Sequence, residues 1–248
     1  MSRQIVWFSC GAASAVAAKL EVQRDNSTIV VYCDTGGEHP DNTRFLRDCE
    51  QWIGKDIAIL KNHRYTDHRD VFRKTRYLVG IAGARCTTEL KKRLRMEFQE
   101  PDDTHIFGYT IEERERAKSF EKNNPDLKTR WTLIEHQLTK EDCIGMIWRA
   151  GIEIPVMYKL GYNHNNCLGC AKGGAGYWNR IRQDFPDVFA EQAKIEREIG
   201  ATSLRDKDGN RIYLDELAPD AGNFEREPDI QCGIGCEIAY QSTIQERQ

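Results

Sequence analysis

The first part of the chain alternates short β-branched runs with helical stretches, and this alternation constrains the fold more than any other feature. Residues 4–8, 28–32 and 56–60 predict strands, while residues 14–24 and 43–53 predict helices between them. Strands that alternate with helices form parallel sheets, because each helix carries the chain back to the edge where the next strand begins. The sequence therefore predicts an α/β fold with a doubly wound, mostly parallel sheet.

The remaining chain predicts further helices and a change of character. Helices are expected at residues 87–98, 140–150 and 186–200, and another strand at residues 105–109. The polar segment NHRYTDHRD, residues 62–70, predicts a solvated loop. A chain of 248 residues suits one sizeable domain with an elaboration. We expect an α/β domain over residues 1–161 and a cysteine-bearing, helical C-terminal elaboration over residues 162–248, packed on the same body.

The bulk composition is that of a soluble globular protein. Charged residues make up 30% of the chain, and no apolar run approaches the roughly 20 residues that a transmembrane helix needs. The first residues lack the basic region and long apolar core of a signal peptide. The net charge of −3 gives no general footprint for nucleic acid, and the basic run 91–95 reads as a solvated helix face. We therefore expect a cytoplasmic protein with no membrane partner.

Nine cysteines are many for such a protein, and an odd number cannot all pair within one chain. In a reducing compartment, clustered cysteines indicate metal binding or redox chemistry. Cys167 and Cys170 form a CxxC, in which one tight turn brings both sulfurs to the same side. A zinc site, a redox pair and an iron–sulfur site all use this spacing. Cys33, Cys49 and Cys143, and also Cys10, are interpreted as structural.

Small residues follow the first predicted strand and lead directly into a helix. Such a turn lets backbone N–H groups approach an anion at the helix N-terminus, where the dipole favours negative charge. The second predicted strand ends at Asp34, Thr35 and Gly36, and the carboxyl ends of adjacent parallel strands line one crevice. A short turn of small residues is also common for packing alone. The residues themselves therefore leave two interpretations of Ser9, Cys10, Gly11, Ala12, Ala13 and Ser14 open, a phosphate-binding loop or a packing turn.

Four segments carry a resemblance to a known family. The loop SCGAAS resembles the S-x-G-x-x-S form of the PP-loop, and YCDTGGEHP resembles the D-T-G-x-x-x-P element that follows strand two in that superfamily. GYTIEERER is similar to a G-x-x-x-x-E-x-x-R element, and GIEIPVMYKLGYNHNNCLGC to I-x-P-x-Y-x-x-G followed by CxxC. By resemblance the chain belongs with the adenine nucleotide α-hydrolase-like proteins, near the phosphoadenosine-phosphosulfate reductases and iron–sulfur sulfurtransferases.

The resemblance implies a nucleotide site. Ser9, Gly11 and Ser14 would cradle phosphate, and Arg116 would help to hold the anionic end of an adenine nucleotide. The other positions implied for this site are Cys10, Ala12, Ala13, Asp34, Thr35, Gly36, Gly108 and Glu113. ATP-cleaving members usually carry S-G-G-x-D-S, whereas Cys10 replaces the first glycine here and Ala13 the acidic residue. This difference favours adenylyl sulfate or its 3′-phosphorylated form over ATP.

The resemblance also implies a [4Fe–4S] cluster in preference to zinc. Its expected ligands are Cys86, Cys167, Cys170 and Cys232, with Cys236 as the catalytic thiol because Glu237 could accept a proton beside it. The family's C-G-L-H tail matches Cys232 instead, so the reverse assignment of Cys232 and Cys236 stays open.

Three functions follow from these motifs. The first is a phosphoadenosine-phosphosulfate reductase-like enzyme that uses a thioredoxin-like reductant. The second is an ATP-dependent iron–sulfur sulfurtransferase that thiolates a nucleic acid. The third is a non-catalytic regulator that binds a nucleotide or a cluster.

Overall fold

A computed structural model describes residues 2–80, 83–228 and 230. In these ranges the strands are β1 Gln4–Phe8, β2 Ile29–Asp34, β3 Ile57–Lys61, β4 Val79–Gly80, β5 Gly83–Ala84, β6 Thr104–Phe107, β7 Lys128–Arg130, β8 Leu204–Arg205 and β9 Arg211–Ile212. The α-helices are α1 Ala12–Arg24, α2 Asn42–Ile53, α3 His68–Thr75, α4 Arg85–Thr87, α5 Arg93–Phe98, α6 Arg114–Asn123, α7 Thr132–Glu135, α8 Lys140–Arg149, α9 Val156–Lys159, α10 Ala175–Asp184 and α11 Pro186–Ile199. A π-helical turn spans Thr88–Lys92, and 3₁₀ turns span Ile111–Glu113, Leu214–Glu216 and Phe224–Arg226.

The central sheet has five strands in the order β3-β2-β1-β6-β7, and every neighbouring pair is parallel. From β1 the chain builds outward through β2 to β3, and then returns to the other side of β1 to place β6 and β7. The direction of winding therefore reverses between β1 and β6. In open parallel sheets this reversal opens a crevice at the carboxyl ends of the strands, where ligands bind.

Contacts within the chain define two compact units. Of the described residues, the first unit contains 2–34, 39–61 and 94–165, and the second contains 35–38, 62–80, 83–93, 166–228 and 230. The predicted domain boundary at residue 161 stays a prediction.

The core of the first unit forms around β1 and the helix that follows it. Ile5 and Val6 are fully buried, as expected for a central parallel strand that is covered on both faces. Ala15, Ala17 and Ala18 of α1 are also fully buried, and such small side chains allow a helix to lie close to a sheet. Residues of α2 and α8 complete the same hydrophobic cluster. The loop between β1 and α1 is thus anchored at both ends by packed elements.

The second unit has a smaller hydrophobic cluster of its own. Phe72, Leu78, Ala171, Ile195 and Ile199 are buried in it. Val79, Cys86 and Ala201 are partly buried and pack against the cluster. Helices α3 and α11 therefore share a core with the residue that follows the CxxC.

The α/β fold and its parallel sheet are confirmed, but the predicted solvated loop at residues 62–70 is wrong in its second half. Helix α3 begins at His68, and the Asp67 carboxylate caps it by accepting hydrogen bonds from the backbone N–H groups of Arg69 and Asp70, each at 2.9 Å. The His68 side chain is 1% exposed. Within the described part of the chain, no helix is long and apolar enough to cross a membrane.

Candidate functional site

The loop from Ser9 to Ser14 joins β1 to α1 in a conformation that leaves the start of the helix open. Gly11 is the N-cap, with an extended backbone at φ −108° and ψ 159°, and it offers no side chain to cap the helix. Cys10, just before it, has a left-handed backbone with φ +55°. The first N–H groups of a helix lack intrahelical acceptors, and its dipole makes this end attractive to anions. The loop therefore leads into a helix N-terminus that its N-cap residue leaves without a side-chain cap.

Two serine side chains fix the shape of this loop. The Ser14 Oγ accepts hydrogen bonds from the Ser9 backbone N–H at 3.0 Å and from the Ser9 hydroxyl at 3.1 Å. The Ser14 hydroxyl also donates to the Gly11 carbonyl at 3.0 Å. Ser14 is buried, whereas Ser9 is exposed. Ser14 thus acts as an internal brace that holds both the backbone and the hydroxyl of Ser9.

Gly108 brings the end of β6 against the same loop. A Cβ at this position would lie 2.6 Å from both the Cα and the backbone nitrogen of Ser14, and 2.9 Å from the Ala13 carbonyl carbon. These are backbone atoms, which cannot move aside as a flexible side chain can. Only glycine fits where the loop after β1 meets the loop after β6, which is the reversal point of the sheet.

Glu113 and Arg116 are brought together, but they bind each other. The Arg116 guanidinium donates to the Glu113 carboxylate and lies 4.2 Å from the centroid of the Tyr109 ring. Glu113 also accepts a hydrogen bond from the Thr110 N–H at 3.2 Å. The predicted anion-binding arginine therefore already has a carboxylate partner and an aromatic surface beneath it. An anion at this position would share Arg116 with Glu113.

The D-T-G motif is divided between the two units. In the first unit, Asp34 ends β2 and accepts a hydrogen bond from the Lys61 Nζ at 2.6 Å. In the second unit, Thr35 is buried, and its Oγ1 lies 3.1 Å from the Cys167 Sγ. Gly36 has φ +66°, and a Cβ there would lie 2.1 Å from the Thr66 carbonyl oxygen. The structure thus pairs Thr35 with a predicted metal ligand.

The CxxC forms a buried, hydrogen-bonded turn in the second unit. Cys167 and Cys170 are both buried, and Gly169 between them has φ +72°. The Tyr177 hydroxyl oxygen accepts hydrogen bonds from the N–H groups of Gly169 and Cys170, each at 3.1 Å. The Leu168 N–H donates to the Gly37 carbonyl at 2.9 Å. Hydrogen bonds to Tyr177 and to Gly37 therefore hold the turn in place.

Three of the cysteines predicted as metal ligands, Cys86, Cys167 and Cys170, lie in the second unit. Cys86 packs against the hydrophobic cluster that contains Ala171, the residue after Cys170. Yet in the ranges that the structure describes, no group of three or more His, Cys, Asp or Glu side chains is placed to hold a metal ion. Cys232 and Cys236 lie outside the described residues. The [4Fe–4S] cluster therefore stays a prediction.

His68, which the sequence predicts in a solvated loop, is buried in this region. Its Nδ1 would lie 2.0 Å from a Cβ at position 37, so glycine is required there. Burial is the main reason that the pKa of His68 falls to about 4, despite the opposing effect of Asp67. The imidazole is therefore neutral at pH 7. The signal was present in the sequence, because Asp67 is a good N-cap residue and Val71 and Phe72 follow at helical spacing.

The four cysteines interpreted as structural are all buried. Burial raises the pKa of the Cys49 thiol and that of the Cys143 thiol to about 12. Cys10 is fully buried, and its Sγ lies 3.9 Å from the Asn42 carbonyl oxygen. Cys33 is buried within β2. Cys49 and Cys143 are thus protonated thiols at neutral pH.

Neither a model of a known protein family nor a curated protein matches this chain. The fold defines the class of protein: an α/β protein whose five-stranded parallel sheet is compatible with a Rossmann-like arrangement. A loop of small residues, Ser9 to Ser14, follows the carboxyl end of the central strand β1.

Proposed function

We propose that the first unit binds the phosphate end of an adenine nucleotide at the loop Ser9 to Ser14. One observation carries this proposal: Gly108 and the loop meet backbone to backbone at the reversal point of the sheet. Ligands of open parallel sheets bind at that point. The helix start at Gly11 supports a negatively charged ligand there, because Gly11 provides no side-chain cap and the first N–H groups of α1 and the helix dipole act in the same direction.

The loop residues would act by positioning and by charge neutralisation. The N–H groups at the start of α1 would donate to phosphate oxygens. The Ser9 hydroxyl donates to the Ser14 Oγ, so it would have to exchange this hydrogen bond for one to the ligand. Because the Ser14 hydroxyl already joins Ser9 to Gly11, the loop needs little reorganisation on binding. A preorganised site loses less conformational freedom when its ligand arrives.

We further propose that the nucleotide is a sulfonucleotide and that the protein is a phosphoadenosine-phosphosulfate reductase-like enzyme. The loop carries alanine at position 13 and has no acidic side chain of its own, which favours a nucleotide that is bound over one that is hydrolysed. A cysteine thiolate, assigned to Cys236, would attack the sulfonyl sulfur, and the bond from sulfur to the phosphate oxygen would break. The nucleotide leaves as a phosphate monoester, and the cysteine carries a thiosulfonate.

A dithiol of the thioredoxin class would complete the reaction. One of its thiolates attacks the cysteine sulfur of the thiosulfonate, sulfite leaves with the electron pair, and the second thiol then releases the enzyme cysteine as the dithiol becomes a disulfide. A [4Fe–4S] cluster on Cys86, Cys167, Cys170 and Cys232 remains part of the proposal. No step of the reaction is assigned to it.

The test compares three nucleotides on one preparation. Anaerobically purified protein is incubated with a dithiol and with ATP, adenylyl sulfate or the 3′-phosphorylated form, and sulfite and pyrophosphate are measured. Sulfite from either sulfonucleotide supports the proposal. Pyrophosphate from ATP would overturn it in favour of the ATP-dependent sulfurtransferase. Binding without either product would favour the regulator, and a failure to bind any of the three would refute the nucleotide site itself.

A further inference from the structure

Cys10 adopts a backbone conformation that a residue with a side chain rarely adopts. Its φ of +55° lies in the left-handed region, and the residue is fully buried at the start of the loop. In this region the Cβ of an L-residue crowds its own backbone, so glycine is favoured and other residues need support from their surroundings. Something in the first unit must therefore hold Cys10 in place.

The Asn165 side chain supplies this support. Its Nδ2 donates one hydrogen bond to the Cys10 carbonyl at 2.7 Å and a second to the Asn42 Oδ1 at 2.8 Å. Both asparagines are 5% exposed. Asn42 is the first residue of α2, so the second hydrogen bond ties Asn165 to a packed helix. The Cys10 carbonyl is thus held from the protein interior by an anchored amide.

The orientation of this carbonyl determines where the next N–H points. In a trans peptide the C=O and N–H groups point in opposite directions. Because the Cys10 carbonyl faces buried Asn165, the Gly11 N–H of the same peptide must face away from Asn165. The Gly11 N–H is one of the donors at the open start of α1, where the anion is proposed to bind.

We propose that Asn165 is a positioning residue of the phosphate loop. It holds Cys10 in its left-handed conformation and thereby directs the Gly11 N–H toward the ligand. A glycine at position 10 would adopt this conformation without such support, whereas Cys10 needs the hydrogen bond from Asn165. The role of Asn165 in ligand binding rests on the proposed function, whereas its effect on the conformation of Cys10 does not.

The test separates the conformation from the binding. NMR compares wild-type protein with Asn165→Ala, Cys10→Gly and the double variant. The Cys10 carbon shifts are measured in the two proteins that retain Cys10, and the Gly11 amide signal is measured in all four. Asn165→Ala is expected to move the Cys10 Cα and Cβ shifts away from left-handed values and to displace the Gly11 amide. In the double variant, the Gly11 amide signal should lie close to its position in Cys10→Gly alone. Unchanged Cys10 shifts in Asn165→Ala would overturn the proposal.

Binding of adenylyl sulfate, measured by calorimetry, gives the second readout. Asn165→Ala should weaken it about tenfold in the wild-type background, and about twofold or less in the Cys10→Gly background, since glycine adopts positive φ without strain. Equal losses in both backgrounds would overturn the proposal. If wild-type protein binds none of the three nucleotides, the proposed function fails, and the NMR comparison still decides the role of Asn165.

The chain offers a matched control. Asn179 in the second unit is also buried, and its Nδ2 also donates to two acceptors, the carbonyls of Ala218 and Ala221, at 2.9 and 2.8 Å. Asn179→Ala removes the same kind of double hydrogen bond and should leave both the Gly11 amide and nucleotide binding unchanged. If Asn165→Ala alone does not fold, recovery of folding in the double variant would support the proposal, and failure of the double variant to fold would overturn it.

Discussion

Gly108 lies so close to Ser14 that a single added methyl group would stand 2.6 Å from the Ser14 Cα. This contact joins the two strand ends between which the sheet reverses its winding. Since both partners in the contact are backbone, it fixes the start of α1 relative to the end of β6. A change at position 108 should therefore affect stability and the loop together.

The first prediction is that Gly108→Ala destabilises the fold by about 2 kcal/mol, a magnitude typical of overpacking a tight contact. The methyl group must push the start of α1 away, because no flexible side chain can yield in its place. Urea unfolding of the variant and the wild-type protein measures the difference. Gly145→Ala is the control, since its new Cβ meets nothing closer than the Arg149 Nη1 at 3.4 Å and helix α8 gains up to about 1 kcal/mol. Equal stabilities of the Gly108 variant and wild type would contradict the close contact.

The second prediction concerns Gly11, where the backbone accepts a larger residue more readily than it does at Gly108. Its φ of −108° is ordinary, and the nearest neighbour of an added Cβ is the Tyr158 hydroxyl at 3.1 Å. Gly11→Val should therefore fold, while its branched side chain crowds the proposed phosphate position. A ligand at 100 times its Kd stabilises wild-type protein by about 2.7 kcal/mol, which is roughly 5–10 °C in Tm. Thermal unfolding with and without adenylyl sulfate should show this shift in wild type and lose it in the variant. A shift of equal size in both would exclude the loop as the phosphate site.

The order of the early elements could be predicted because each has a local signal. The run QIVWF and the alanine-rich stretch of α1 have the composition and spacing of a buried strand and a helix. β7 was missed because its three residues, Lys128 to Arg130, are polar and carry no apolar alternation. It forms only by pairing with β6 at the edge of the sheet.

The candidate site shows the same division between local and non-local information. The motif indicated that Gly108 matters, but the reason lies in Ser14, far away in the chain. The hydrogen bond from Asn165 to Cys10 has no sequence signature at all. The polar neighbours of His68 predict a solvated loop. The features that mark α3 are the Asp67 cap and the apolar pair Val71 and Phe72. Contacts between distant segments decide these roles, and no pattern within one segment contains them.

The third prediction is a loss of stability in acid that depends on His105. This side chain is buried, accepts a hydrogen bond from the Trp7 indole N–H at 3.0 Å, and has its pKa lowered to about 4, first by burial and then by Arg95. The unfolded chain binds the proton near pH 6.5 and the folded chain only near pH 4. Stability is therefore present above pH 6.5 and is lost progressively as the pH falls toward 4.

This window gives a measurable difference. Between pH 7 and pH 5, His105 should account for about 2 kcal/mol of lost unfolding free energy. His105→Asn keeps an acceptor for Trp7 but cannot titrate, so the variant should lose about 2 kcal/mol less than wild type over the same range. Urea unfolding at both pH values measures this. An identical loss in the two proteins would show that His105 is not the group responsible.

The last prediction separates candidate metal ligands from structural cysteines. If Cys86, Cys167 and Cys170 bind a cluster together with Cys232, protein purified without oxygen should be brown, and Cys→Ala at any of the first three should remove most of its iron. Cys49 and Cys143 provide matched controls, because both are buried thiols whose pKa is raised to about 12, and a thiol that stays protonated is a poor metal ligand. Cys49→Ala and Cys143→Ala should keep the colour and the iron content even where they lower the Tm.

Iron and zinc are counted by elemental analysis on each folded variant, after anaerobic reconstitution. Stoichiometric zinc that iron does not replace would overturn the cluster in favour of a zinc site. Retention of iron in Cys167→Ala and Cys170→Ala would mean that the buried turn held by Tyr177 serves the fold and not a metal.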